Sequence, residues 1–470
     1  MKGRFELYLN KFVGKQSEVI LFKFRNWVRK IKIKQILLKS SSPFQISNFK
    51  FLILSLFFLN SLLAQDYSFD FEDFEKKPYE YVGNFQLQSD LASLNKLSKL
   101  YSLSFSNKDE QGYFDSYFAS IQLKGSYDIS KFKLLIDIKD QLSYNTNDEV
   151  ENTFNIFESY LNTYISKNIN FQIGKKSVKW GKGYIWNPVS FIGRQKDIND
   201  VDAALEGFWM LKFDYVKSLS GVLQNFSITT VVMPVNRDFN EGFSEEDGFN
   251  YILNNYFLIK DTDIDFYFFW EDTFFKKFGF DFARNILPSW EIHAEYVFEK
   301  NVIRSWWNSQ TEIESSTNNT HNYLFGTRIL FETNTTLIAE YLHNDAGFET
   351  EQMIYFFKTI DVALSSDQSL LPEVKEYQLE NFNNQFLMQD YFYLKLIQPE
   401  PFNILYFTPS IYLLYNINDE SKMIGGEFNY SRFNNLDLKI KYTFLSGNAN
   451  SEFGEKTTFN KISFLMDYTF

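Results

Sequence analysis

The chain has 470 residues, no cysteine and a formal net charge of −12. The absence of cysteine excludes a disulfide framework, thiolate catalysis and Cys-ligated metal. Aromatic residues make up 19% of the chain, with 54 Phe and 29 Tyr. Mean hydropathy is nonetheless slightly negative, and no run of ~20 apolar residues follows the N-terminal region, which excludes a helical membrane bundle.

The first recognisable element is FLILSLFFLNSLLA, residues 51–64, preceded by Lys50 and followed by QDYSFD. A basic flank, a short apolar stretch and a small residue before a polar start describe a secretory signal, with cleavage expected after Ala64. Residues 1–48 lie upstream, are rich in Lys and Arg, and extend this leader. Residues 1–64 hold 12 Lys+Arg and 2 Asp+Glu, so the mature chain keeps 35 basic and 57 acidic residues, a net of −22. Such acidity argues against a nucleic-acid partner and for cations or neutral ligands. Residues 65–80 read as a short periplasmic segment, and 81–470 as the main domain.

From there the chain alternates with period 2, the mark of strands with one apolar face. KFKLLIDIKD sets Phe132, Leu134, Ile136 and Ile138 against Lys133, Asp137 and Lys139. WEIHAEYVFE sets Ile292, Ala294, Tyr296 and Phe298 against Glu291, His293 and Glu295. LDLKIKYTFL sets Leu436, Leu438, Ile440, Tyr442 and Phe444 against Asp437, Lys439 and Lys441. The pattern predicts about 18 strands (16–18), near 81–92, 115–127, 131–144, 153–165, 168–176, 205–216, 224–234, 249–259, 263–271, 275–285, 289–299, 321–333, 335–344, 390–398, 403–416, 420–431, 436–446 and 460–470. The segment 97–107 competes with 81–92 for the first place.

Connection lengths separate a membrane barrel from a soluble sandwich. Links after even-numbered strands are short, and most links after odd-numbered strands are long, including 93–114, 177–204, 300–320 and 345–389. The two short exceptions lie near 272 and 417. Membrane barrels sort their turns and loops to opposite ends in this way. The fold class expected is therefore all-β, a transmembrane antiparallel β-barrel in the bacterial outer membrane of a Gram-negative cell envelope. Closure would remove the strand edges that lipid forbids. The last strand, NKISFLMDYTF, ends on Phe470. It resembles the C-terminal signal that outer-membrane barrels present to their insertion machinery, which implies that partner alongside membrane lipid and lipopolysaccharide.

The most distinctive passage spans residues 171–215. In it, Gly174, Lys175, Trp180, Gly181, Gly183, Asn187, Pro188, Asp200, Asp202 and Gly207 follow a pattern G-[KR]-x-x-x-x-WG-x-G, an NP turn, an acidic segment and a glycine before the next strand. This resembles large outer-membrane barrels of the porin, polysaccharide-export and capsule-assembly kind. The resemblance covers about 45 residues and implies a barrel with a passage or surface role. In general porins the third outside loop folds into the lumen, and 177–204 is the third here. The expected constriction comprises Trp180, Lys182, Trp186, Asn187, Arg194, Lys196, Asp197, Asp200 and Asp202, whose opposed charges would filter polar solutes. The expected lumen lining is Lys133, Asp137, Lys139, Glu291, His293, Glu295, Arg328, Glu340, Lys439 and Lys441.

The function expected is passive or facilitated diffusion of small hydrophilic solutes, with mild cation preference. The alternative is a barrel that binds, exports or assembles surface polysaccharide, with Trp306 and Trp307 stacking sugars from an outside loop. Helical spacing around Ile354, Phe357, Ile360 and Val362 suits a short helix at the mouth or an ordinary outside loop. The three histidines, His293, His321 and His343, do not form a metal motif. No nucleophile elbow or phosphate loop is present, so no cofactor and no enzymatic activity are expected. The acidic loop EGFSEEDG, 241–248, suits divalent cations or plain solvation.

Overall fold

The computed structural model describes residues 77–106, 111–146, 149–198, 205–243, 247–309, 312–382 and 386–470. The leader and residues 65–76 lie outside these, as do Asp200 and Asp202. Lys77–Phe470 form one unit.

Period-2 alternation becomes 18 antiparallel strands. They are β1 (Tyr79–Leu94), β2 (Tyr113–Ile129), β3 (Phe132–Asn145), β4 (Val150–Ser166), β5 (Ile169–Lys176) and β6 (Phe208–Ser218). Then come β7 (Leu223–Val235), β8 (Gly248–Ile259), β9 (Thr262–Glu271), β10 (Phe274–Leu287), β11 (Trp290–Trp307) and β12 (Ile313–Leu330). The circuit finishes with β13 (Thr336–His343), β14 (Asp390–Ile397), β15 (Phe407–Asn416), β16 (Lys422–Phe433), β17 (Leu436–Ser446) and β18 (Thr458–Thr469). Each strand pairs with its sequence neighbours, and β1 also pairs with β18, so the sheet closes on itself. Closure satisfies the backbone groups that an open edge would leave bare in hydrocarbon.

Register sorts the side chains. On one face, Glu427, Lys441, Ser463 and Asp90 lie side by side across β16, β17, β18 and β1. Their neighbours along the strands, Phe428, Ile440 and Phe464, form the opposite row and are exposed. Ile411, Phe325 and Tyr442 extend this outward apolar face. Each such side chain left in water forgoes roughly 1.5–3 kcal/mol of burial. A continuous outward belt of them is built to meet lipid, with the charged face turned to the lumen.

The ends differ as expected. Short turns at 130–131, 167–168, 260–261, 288–289 and 434–435 sit at one end. At Lys260–Asp261 both residues take left-handed φ, 48° and 59°, the geometry of a tight hairpin that matches strand twist. Long links at 95–112, 177–207, 236–247, 344–389 and 447–457 sit at the other end.

Two local expectations change. The segment competing for the first strand contains a short helix, α1 (Lys99–Ser104), capped by the Ser98 side chain. The expected outside link 300–320 contracts to 308–312, because β11 and β12 run on past the wall as a two-stranded ribbon. Trp307 therefore sits on a strand and is fully buried.

The long link 344–389 carries α2 (Thr350–Ser365) and α3 (Leu371–Asn381). Met353, Phe356, Phe357 and Ile360 follow helical spacing and are buried. They join Leu100 and Leu103 of α1, Trp307, Val374 and Tyr377, and Phe453 of the 447–457 link, in one apolar core. This core is a lid packed over the long-link end of the lumen.

Candidate functional site: a loop tethered inside the lumen

Alternation on β11 turns Glu291, His293 and Glu295 inward. The neighbouring strands add Asp281 opposite Glu295, Asp265 opposite Asp281, and Glu340 opposite Gly326, which itself faces His293. An acidic wall thus runs across β9–β13. Residues 177–198 of the link that follows β5 lie against this wall.

The attachment is chemical and specific. The Glu295 carboxylate accepts from the backbone N–H of Lys182 (2.6 Å) and Gly183 (2.8 Å) through Oε1. It accepts from Val189 N–H (3.2 Å) through Oε2, and from the Asn187 amide at 3.2 Å. Glu340 accepts from the N–H groups of Tyr184 and Ile185. Two carboxylates therefore satisfy five backbone donors that a buried loop could not leave unpaired. Both side chains are buried, Glu295 at 1% and Glu340 at 0% exposure.

Glycine makes the approach feasible. Gly181 adopts φ +93°, and a Cβ there would collide with Asn187 and Glu295. At Gly183 a Cβ would fall on the Trp186 carbonyl. The WG-x-G spacing is thus the spacing of a loop that doubles back against its own wall.

His293, 2% exposed, bridges the acidic groups. Its Nε2 lies 3.0 Å from Glu340 and its Nδ1 3.5 Å from Glu291. Its ring lies over Gly326, where any Cβ would occupy the same space. The Tyr184 hydroxyl donates to Glu291 at 3.2 Å. Burial, then the Glu291 charge, push the Tyr184 phenol above its ordinary pKa.

The sequence-predicted loop residues fall into place as follows. Lys182 Nζ pairs with Asp265 (2.8 Å) and Asp281 (3.6 Å). Burial works against its charge, but Asp281 and Asp265 outweigh burial and hold the ammonium above its ordinary pKa. Trp180 packs against Tyr267 with the ring planes tilted by 51° and the centroids 5.4 Å apart. Trp186 is buried among Phe386, Tyr391 and Tyr393 and ties the loop to the lid core. Lys196 Nζ donates to the carbonyls of Gly183 (2.9 Å) and Tyr184 (2.8 Å). Arg194 pairs with Glu206 (3.5 Å) and lies over the Phe208 ring. Asp197 is exposed.

Of the expected lining, Lys133 pairs with Glu80, Lys439 with Asp467 and Lys441 with Glu427, each at 3.6 Å. Asp137 is buried and accepts from Gln122 at 2.7 Å, with Lys124 at 3.8 Å. Lys139 stands opposite Gln122 and Asn155. Arg328 is exposed beside Glu291 in register. His293, Glu295 and Glu340 differ from the expectation. They turn inward but lie under the loop, where they hold it and do not face lumen water. Likewise Lys182 is spent on attachment, and Lys196 braces the loop's own backbone at Gly183 and Tyr184. Asp265 and Asp281, absent from the expected set, complete the tether. Asp265 ends the alternating run Asp261, Asp263, Asp265, a signal visible in the sequence.

Beside the loop is a cavity of about 800 Å³, lined in part by Trp180, Tyr184, Asn187, Lys196, Asp263 and Glu291. It combines aromatic faces with carboxylates, lysines and an amide, a lining suited to small polar solutes.

No family model matches the chain, and no curated protein sequence matches it. Solved structures do. OccK9 (OpdG) of Pseudomonas aeruginosa is 8% identical, with a TM-score of 0.51, over 83% of this chain and 98% of its own. A BenF-like porin from Pseudomonas fluorescens Pf-5 is 9% identical, with a TM-score of 0.49, over 83% and 98%. OccK2 (OpdF) of Pseudomonas aeruginosa, solved with glucuronate, is 9% identical, with a TM-score of 0.49, over 83% and 97%. At such identity the likeness to OccK9 concerns the fold, and it extends around nearly the whole of that barrel.

Proposed function

We propose that this protein is an outer-membrane channel for small hydrophilic solutes, with 177–207 as its constriction. The observation that carries the reading is the division of the closed circuit. Apolar side chains face out, charged ones face in, and an inward-folded loop is fastened to the wall by Glu295 and Glu340. A channel of this design keeps its narrowest part fixed, because the tether acts mainly on the loop backbone and leaves the cavity beside it, lined in part by Tyr184, Lys196, Asp263 and Glu291, to meet solute. Net acidity and the Asp263–Glu291 side favour cations.

A polysaccharide-binding role loses support at its expected contact. Trp307 is buried against Tyr377, and Trp306 is half-buried under the Arg304 guanidinium. Neither forms a free stacking platform in an outside loop.

The test is single-channel recording of the purified protein in planar bilayers. Discrete steps with cation-biased reversal potentials are expected, enlarged when residues 182–200 are deleted. A folded barrel that is silent both intact and with the helices of the lid removed would overturn the reading.

A further inference from the structure

The tether wall occupies β9–β13, and the loop lies on it. In the closed circuit of 18 strands, β2 stands nine steps from β11 in either direction. The wall that the loop faces across the lumen is therefore β1–β4. Register gives its inward rows. Asn84, Gln122, Lys139 and Asn155 form one row across the four strands, and Gln86, Ser120, Gln141 and Thr153 form the next. Lys139 is the one charged residue in these two rows, and it has an interaction of its own. Other amides of the lumen are paired with carboxylates. Gln122 donates to Asp137 at 2.7 Å, Gln88 to Asp90 at 2.8 Å and Asn254 to Asp265 at 2.8 Å. Asn84, Gln86, Gln141 and Asn155 differ. Among the described residues none of these four side-chain amides has a hydrogen-bond partner, and none of the four residues is buried. Strands lie about 4.8 Å apart and alternate residues of one strand about 6.8 Å apart, so the four amides fall within roughly 15 Å by 7 Å. Phe118, on the same face of β2 as Ser120 and half-buried, adds an apolar ring at the edge of the patch.

We infer that β1–β4 carries a binding wall for uncharged, hydroxyl-rich solutes, sugars of one or two rings, which pass the constriction in contact with these amides. The inference rests on the channel reading above and gives that channel a substrate class. Each amide presents both donors and an acceptor and bears no charge. A hydroxyl also donates and accepts, so a sugar can meet the N–H of one amide and the carbonyl of the next. A carboxylate can only accept and an ammonium can only donate, so either leaves half of each amide unmet. An ion also has stronger partners one row away, where Lys124, Asp137 and Glu158 stand side by side. What sets the two amide rows apart is their fit to a solute without charge, with the Phe118 ring placed to meet the C–H face of a sugar.

The experiment records single-channel current of the full chain in KCl, with glucose, maltose or sucrose added to one side. An oligoethylene glycol of matching size is the control, because its ether oxygens accept but do not donate. The sugars should interrupt the current in concentration-dependent blockades, at several-fold lower concentration than the glycol. The combined Gln86→Ala, Gln141→Ala and Asn155→Ala variant should bind sugar at least about tenfold more weakly, since each hydrogen bond removed is worth a factor of roughly 2–12. Where that variant fails to fold, Asn155→Ala alone, at an exposed site, should weaken binding by one such factor. Sugars that block no better than the glycol, or amide variants that keep the wild-type sugar affinity, overturn the inference and leave the channel reading standing. A folded barrel that is silent in KCl, both intact and without the helices of the lid, overturns both.

Discussion

Replacing Glu295 by Ala removes the acceptor for three backbone N–H groups, those of Lys182, Gly183 and Val189, and for the Asn187 amide. A buried donor left without a partner costs about 1–3 kcal/mol. Three of them give roughly 3–9 kcal/mol of lost loop attachment, reduced by the relief of no longer burying a carboxylate. Every 1.4 kcal/mol is a factor of ten, so the detached population should rise about a hundredfold or more. The barrel itself is held by strand pairing on both sides of β11 and should stay folded. The loop carries Lys179, Lys182 and Arg194, so limited trypsin digestion of the detergent-solubilised protein reads detachment directly. Cleavage between 179 and 194 should accelerate in Glu295→Ala, while circular dichroism and heat-dependent gel mobility remain those of the folded barrel. Glu295→Gln, which keeps one carbonyl oxygen, should fall between. If Glu295→Ala is cleaved in the loop at the wild-type rate, the tether is not what holds the constriction.

Two further outcomes follow from packing. Trp307→Ala should cost the lid about 3–5 kcal/mol, the range for removing a large buried aromatic; hydrogen exchange in 350–381 should quicken while the strands stay protected. Gly83→Val places a side chain where the Phe470 ring lies, so the β1–β18 junction should lose thermal stability and less inserted barrel should form. An unchanged melting temperature and yield would show that the terminal ring does not depend on that space.

The strands were legible because their physics is local. Alternation at period 2 needs no knowledge of partners, and each of the 18 expected segments overlaps an observed strand. Misreadings arose where a local pattern served a distant partner. NKLSKLYSLSFS contains enough apolar residues to suggest a strand, but Ser98 caps a helix and Leu100 and Leu103 are buried against α2. The end of β11 was hidden because Trp306 and Trp307 resemble loop aromatics until the lid core is seen to enclose Trp307. The tether was less accessible still. Glu295 and Lys182 are 113 positions apart, and alternation could say only that Glu295 points inward. It could not say that a loop lies there. The helical spacing around Ile354, Phe357, Ile360 and Val362 suited a helix or an ordinary outside loop; α2 forms there, and of these four Phe357 and Ile360 are buried, with Met353 and Phe356 completing the face.

The pairing scheme has a consequence for how such a wall is made. Among the described residues, every strand contact but one joins neighbours along the chain, so most of the wall can form by successive hairpins with little loop-closure cost. The exception is β1 with β18, from Asn84 beside Thr469 to Leu94 beside Thr458. It is finished by a reciprocal pair of backbone bonds between Gly83 and Phe470, both 2.8 Å. That seam cannot exist until the final strand does. It is therefore the step at which a half-built sheet, edges bare, becomes a cylinder, and the place where a defect would leave an otherwise complete protein open to pairing with its neighbours.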